Sequence, residues 1–152
     1  MKQDITETRL DWLMADLAER TIGVRHAVLL SADGLLMARS SSLPQADAEH
    51  LAAAASAYRS LSRGTGRHFG LGGARQTMVE LDHAYLLVTE AGSSACLALI
   101  AQEDADLGLV AYEMNRVVQQ AGPHLASQPR KFAGIAPNGA VLPSDPAVAQ
   151  EP

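Results

Sequence analysis

Aromatic residues make up only 4% of the 152 residues, with one tryptophan, three tyrosines and two phenylalanines. The core must therefore be filled by Leu, Val, Ala and Met rather than by rings. There is one cysteine, Cys96, which excludes an internal disulfide and a cysteine-based metal cage. Long apolar runs are missing too: Cys96-Leu-Ala-Leu-Ile-Ala101 falls far short of the roughly 18 residues a membrane span needs. No basic block offsets the net charge of −5; the 12 Lys and Arg are dispersed, with Arg59, Arg63 and Arg67 the densest group. Nucleic acid as main partner is therefore not expected, because affinity there grows with clustered phosphate-neutralising charge. Met1-Lys2-Gln3-Asp4 is not followed by an apolar secretory segment, so a cytoplasmic location is expected, with any membrane association supplied by partners.

What is present is a clear alternation of periodicities. Leu10, Leu13, Met14 and Leu17 recur at helical spacing and predict a first amphipathic helix over about Thr6 to Glu19. Val24 to Leu30 is a β-type run, and Ala32-Asp33-Gly34 followed by Leu35 to Ala38 predicts a hairpin, since Asp-Gly tolerates the positive φ its tight turn requires. The run Ser40-Ser-Ser-Leu-Pro44 breaks the pattern, and Ala46 to about Ser62 reads as a second helix. A glycine-rich connector, Arg63 to Gly73, precedes three β-type runs, Arg75 to Leu81, Ala84 to Glu90 and Ser94 to Ala101, which form a meander. Leu107, Val110, Ala111, Met114, Val117, Val118 and Ala121 stripe a third helix over Ala105 to His124, closed by Gly122-Pro123. The fold class expected is α+β: an α/β/α sandwich around a five-stranded antiparallel sheet, in the order helix, strand, strand, helix, strand, strand, strand, helix. That domain covers residues 1–125. Residues 126–152 hold five of the seven prolines and read as a disordered Pro/Ala-rich tail.

The residues that could carry chemistry do not assemble into a motif. Gly64 to Gly73 follows a helix and precedes a strand, the reverse of what a phosphate-binding loop needs, and has no Gly-Lys-Ser or Gly-Lys-Thr. The five histidines, His26, His50, His68, His83 and His124, lack metal-ligand spacing. Cys96 lies mid-strand in an apolar run and reads as a buried structural thiol. No two of the acidic residues stand out as an acid/base pair, and no GxSxG elbow accompanies the serines. The expectation is a protein that is not an enzyme, with no catalytic residue, no metal and no cofactor.

The second helix is the informative one. Leu51, Ala54, Ala55, Tyr58 and Leu61 make the stripe expected to cover the sheet, while Ala48, Ala52, Ala55, Ser56 and Arg59 make an adjacent stripe of mainly small groups. Small residues let another helix approach closely, so this second stripe is expected to meet the same helix of a second copy.

The order of elements, the Asp33-Gly34 hairpin, the serine-rich bridge, Ala48-Glu49-His50-Leu51-Ala52-Ala53-Ala54-Ala55-Ser56 and the following Leu61-Ser62-Arg63-Gly64 together resemble the roadblock family, which includes roadblock-type dynein light chains and the bacterial MglB-like regulators of small Ras-like GTPases. The resemblance spans about Thr6 to Leu125 and looks greatest to actinobacterial members encoded beside a sensor-kinase-like membrane protein and a small GTPase. It implies a roadblock-like, profilin-like fold and a cytoplasmic homodimer whose second helices pack side by side and whose sheets join at Arg75 to Leu81. The dimer-interface residues then expected are Ala48, Ala52, Ala55, Ser56, Arg59, Thr77, Met78 and Val79. It further implies a non-enzymatic signalling scaffold that binds a small Ras-like GTPase, with a membrane sensor-kinase-like protein as a further partner and no direct membrane insertion. Arg63 and Arg67 are the candidates for touching the GTPase. The alternative reading is a small-molecule sensor module of PAS-like type, which needs an apolar cavity with convergent polar groups, and the sequence identifies none.

Overall fold

In the computed structural model, which describes residues 2–126, the first helical periodicity becomes α1, Lys2–Arg20, longer at both ends than its apolar stripe requires. Leu10, Leu13, Met14 and Leu17 are buried along one face. The chain then enters β1 (Val24–Ser31), turns through Ala32-Asp33-Gly34 and returns as β2 (Leu36–Arg39). Gly34 has φ of 89°, the left-handed value an Asp-Gly turn demands, and the Ser31 hydroxyl accepts from the Leu35 N–H at 3.0 Å.

The serine-proline run is pinned to the sheet at several points. Ser40 exchanges two bonds with Ala27, its Oγ accepting from the Ala27 N–H at 3.0 Å and its own N–H donating to the Ala27 carbonyl at 2.9 Å. The Arg39 guanidinium holds the Leu43 carbonyl at 2.6 Å and the Gln45 side-chain oxygen at 3.1 Å. Pro44, at φ −59°, then opens α2, Gln45–His68.

α2 runs six residues past the Ser62 expected from its hydrophobic pattern. Gly64 and Gly66 would each weaken a helix by up to about 1 kcal/mol relative to alanine. The end of the helix is nonetheless capped: the Leu71 N–H donates to the Gly66 carbonyl at 2.8 Å and the Gly70 N–H to the Arg67 carbonyl at 3.2 Å, with Gly70 at φ of 65°. This pair of bonds around a left-handed glycine is a Schellman cap. The loop folds back so tightly that a Cβ on Gly66 would lie 2.1 Å from the Gly72 carbonyl oxygen. The glycine cluster thus serves a helix end, and the loose connector shrinks to residues 69–75.

β3 (Gln76–Glu80), β4 (Ala84–Ala91) and β5 (Ala95–Gln102) form the meander, and α3 (Leu107–Ala126) closes the domain. α3 begins where Asp106 caps it: Oδ1 accepts from the N–H groups of Gly108 at 3.1 Å and Leu109 at 3.2 Å. Pro123 sits inside the last turn instead of closing the helix, where few backbone bonds remain to be lost. The tail expected over 126–152 lies outside the described residues, apart from Ala126 at the end of α3.

All five strands join one antiparallel sheet in the order β2-β1-β5-β4-β3. The first hairpin is therefore placed beside the last strand, with Val28 opposite Ala98 and Leu30 opposite Cys96. One face carries Ala27, Leu29, Leu87, Ala91, Leu97 and Leu99 against α1 and α3. The other carries Val28, Leu30, Leu86, Val88, Cys96 and Ala98 against α2. Having both faces covered explains why β5 is apolar at successive positions rather than alternating. The two helices of the first layer are tied by Arg116, which donates to Glu113 at 2.7 Å and lies 3.8 Å from Asp16 of α1.

Candidate interaction surface

Along α2 the buried positions are Ala48, Leu51, Ala52, Ala55 and Arg59. This corrects the assignment of faces expected from the sequence. Ala48, Ala52 and Ala55 have no exposed surface at all; they lie on Val28, Leu30, Val88, Cys96 and Ala98 within a single copy of the chain. They leave no area for a second helix. The physical reason lies beneath them: small groups on β5 face small groups on the helix, so α2 settles close onto the sheet. Of the stripe expected to cover the sheet, Leu51 and Ala55 do so, whereas Tyr58 at 37% and Leu61 at 69% exposure stand outside and Ala54 is half-buried. Ser56 is half-buried against the first hairpin, its side chain 3.1 Å from where a Cβ on Gly34 would stand.

Arg59 belongs to the interior as well. Its Nε and NH2 donate to the two carboxylate oxygens of Glu90 on β4, at 2.7 and 2.9 Å. The hydrogen bonds to Glu90 raise the Arg59 pKa further above its ordinary value. Cys96 lies 4.0 Å from the same carboxylate, and burial pushes its thiol up to about 11. It is therefore a neutral, inert thiol near pH 7, as its place in an apolar run suggests. Nothing in local periodicity announces Glu90 as the partner of Arg59, 31 residues away. The usable signal is an arginine in line with Ala48, Ala52 and Ala55, because a cation brought against a sheet requires a carboxylate there.

The sheet ends differently on its two sides. The β2 edge is shielded by α1, whose Asp11 accepts the Arg39 backbone N–H at 3.1 Å. Among the described residues, the β3 edge has β4 on one side and no strand on the other. Thr77 and Val79 are half-buried under α2, Thr77 through a 2.8 Å hydroxyl contact with Ser62, while Met78 points to the other face of the sheet, 55% exposed. Leu81 just beyond the strand is 50% exposed. Among the described residues, an unpaired strand edge thus lies on the same side of α2 as the exposed Tyr58 and Leu61. Arg63 and Arg67 are exposed.

Those features can be set beside known proteins. The sequence profile of the Roadblock/LC7 domain matches residues 10–101. The chain belongs to the Roadblock/LC7 domain family. Its roadblock domain is similar to the crystal structure of a Roadblock/LC7 domain from Streptomyces avermitilis, with 43% identity, a TM-score of 0.74, and coverage of 77% of this chain and 98% of that one. It is also 33% identical over 117 residues to an uncharacterized protein of Methanocaldococcus jannaschii, covering 76% of this chain and 96% of the relative. MglB from Myxococcus xanthus shares the fold at 18% identity, with a TM-score of 0.71 over 80% of this chain and 90% of that one. Among the described residues of the roadblock domain, no group of three His, Cys, Asp or Glu could hold a metal ion, and no helix is long and apolar enough to cross a membrane.

Proposed function

We propose that this roadblock domain acts as a homodimeric, non-enzymatic regulator or scaffold that binds a small Ras-like GTPase in a bacterial signalling system. The observation that carries the self-association is the pairing of a bare β3 edge with the exposed flank of α2 that holds Tyr58 and Leu61. A two-fold operation that sets one β3 beside another joins two sheets and covers both flanks at once, which is how an isologous interface satisfies an exposed edge. Thr77, Met78 and Val79 keep the role expected of them at that edge. On α2 the contact passes from Ala48, Ala52, Ala55 and Arg59 to Ala54, Tyr58 and Leu61.

The GTPase is supported by the resemblance to MglB-like regulators and by the membership of the family. A dimer offers it a composite surface and can bias its switch loops or bring it to a membrane-bound sensor. Arg63 and Arg67, both exposed on α2, are the basic groups we assign to contact with such a partner.

The test of the dimer is a solution mass by light scattering at micromolar concentration. The wild type is expected at twice the chain mass, and Leu61→Glu at the chain mass with an unchanged circular dichroism spectrum. A wild-type monomer refutes the interface. The partner is tested by co-purification with small GTPases encoded in the same genome, followed by GTP-turnover measurements; absence of any complex in both nucleotide states refutes it.

A further inference from the structure

From His50 to Val79 the sequence holds four arginines and not one aspartate or glutamate. All 17 Asp and Glu, and eight of the 12 Lys and Arg, lie elsewhere in the chain. The acid-free segment is the greater part of α2, the glycine-turned loop and most of β3. Within it Arg59 is consumed by Glu90. Ser56, Ser60, Arg63 and Arg67 recur at intervals of four, three and four, so they form one stripe on the flank of α2 away from Tyr58 and Leu61. Ser60, Arg63 and Arg67 are exposed, and beyond the stripe's end stand Phe69 at 67% and Leu71 at 76% exposure. Asp33 of the hairpin and Glu49 bound the stripe at its other end.

We infer that this stripe is a docking site for a protein surface with clustered carboxylates, and that the exposed Phe69 and Leu71 supply its apolar contact. The inference deepens the partner reading above and rests on it for the partner being a protein. The chemistry favours that class over other polyanions. Two guanidinium groups one helical turn apart match a pair of carboxylates, each able to take a bidentate bond, and hydroxyls beside them complete a local polar patch. A nucleic acid duplex or an anionic membrane is an extended surface that would also meet the rest of the chain. There the excess of negative charge repels it within a Debye length of about 8 Å. The flank with Tyr58 and Leu61 and the flank with the arginines are distinct, so one helix can serve a second copy and an acidic partner together.

The test uses the full chain and three variants of known geometry. Binding to immobilised poly-L-glutamate is measured at 50 and 200 mM NaCl for the wild type, for Arg63→Gln/Arg67→Gln, and for Arg9→Gln/Arg25→Gln, which removes the same charge from exposed positions elsewhere. DNA duplex and phosphatidylserine vesicles are run as competing surfaces, and melting temperatures confirm that the variants fold. The stripe variant is expected to lose about fivefold or more in affinity and most of its salt dependence, with the control little changed. Equal weakening in stripe and control, no binding to polyglutamate, or tighter binding to DNA or vesicles overturns the inference. Phe69→Ser/Leu71→Ser is measured against an acidic partner protein, where loss of affinity supports the apolar contact and unchanged affinity removes it. The two readings fail separately. If no small GTPase co-purifies while the stripe still discriminates on polyglutamate, the GTPase falls and the acidic partner stands. If a GTPase binds the stripe variant as well as the wild type, the GTPase stands and the stripe falls.

Discussion

Removing either member of the Arg59–Glu90 pair should cost far more stability than removing both. Arg59 is the more enclosed, with 10% of its side chain accessible against 32% for Glu90. Glu90→Leu strands a guanidinium between helix and sheet with two charge-assisted bonds lost, and a stranded buried charge costs about 3–5 kcal/mol at full burial. Because the neighbouring Glu90 position admits water, the cost falls below that full-burial range, to about 2–3 kcal/mol. Arg59→Met leaves a carboxylate that can rehydrate through its accessible third, and keeps the aliphatic stem that packs under α2, so about 1–2 kcal/mol is expected. The double variant replaces the pair by apolar groups of similar length and should sit within about 1 kcal/mol of the wild type.

Urea denaturation at one fixed protein concentration measures the cycle, because a dimer would make the midpoint concentration-dependent. With a slope of roughly 1–1.5 kcal/mol per molar urea, Glu90→Leu should lower the midpoint by about 2 M, and the coupling between the two positions should be about 2 kcal/mol or more. A coupling under about 0.5 kcal/mol, or a larger loss from Arg59→Met than from Glu90→Leu, would refute the reasoning that the enclosed arginine is the costly orphan.

Gly66→Ala and Gly64→Ala should move stability in opposite directions in thermal melts. The first puts a Cβ 2.1 Å from a backbone carbonyl and should cost about 1–3 kcal/mol, while the second meets nothing within 4 Å and should gain up to about 1 kcal/mol from helix propensity. Ala52→Trp should destabilise the folded chain itself by several kcal/mol, because Ala52 has no exposed surface; a folded monomer with wild-type melting would contradict the burial. Cys96 gives a pH signature. Its thiol is raised from 9.0 to about 11 by burial, so the folded state holds its proton more tightly than the unfolded state does. That contribution is complete below pH 9 and is lost as pH rises through about 11, worth roughly 2–3 kcal/mol. Urea midpoints at pH 8 and pH 11 should therefore fall more steeply for the wild type than for Cys96→Ala, and equal slopes would exclude a raised thiol.

The elements that were legible in the sequence are those set by neighbours in the chain. Asp33-Gly34 specifies its own turn, the meander is punctuated by Asp82-His83 and Ala91-Gly92-Ser93, and α3 shows its stripe because its outer face is polar. Strand order was not legible, since β1 pairs with β5 across most of the chain and both are apolar on both faces, leaving no alternation to fix a neighbour. The end of α2 was obscured because glycine reads as a breaker, whereas here the glycines build a cap whose bonds are visible only once the loop has folded back.

The rotation of α2 was misread for a reason that bears on the site. Hydrophobic pattern ranks faces by bulk, and on that scale Leu51, Ala54, Tyr58 and Leu61 outrank Ala48, Ala52 and Ala55. Burial depends instead on the distance between backbones. A helix lying on Cys96 and Ala98 comes closest where its own side chains are small, so Ala48, Ala52 and Ala55 go inward beside Leu51, and Tyr58 and Leu61 are left on the flank. The apolar side chains α2 fails to bury are therefore a consequence of how tightly it packs, and they emerge on the β3 side of the sheet, whose outer edge has no strand partner among the described residues. A fold that seats its central helix on alanine thus leaves Tyr58 and Leu61 for a second copy and places Arg63 and Arg67 on the opposite flank, where a partner with carboxylates can reach them.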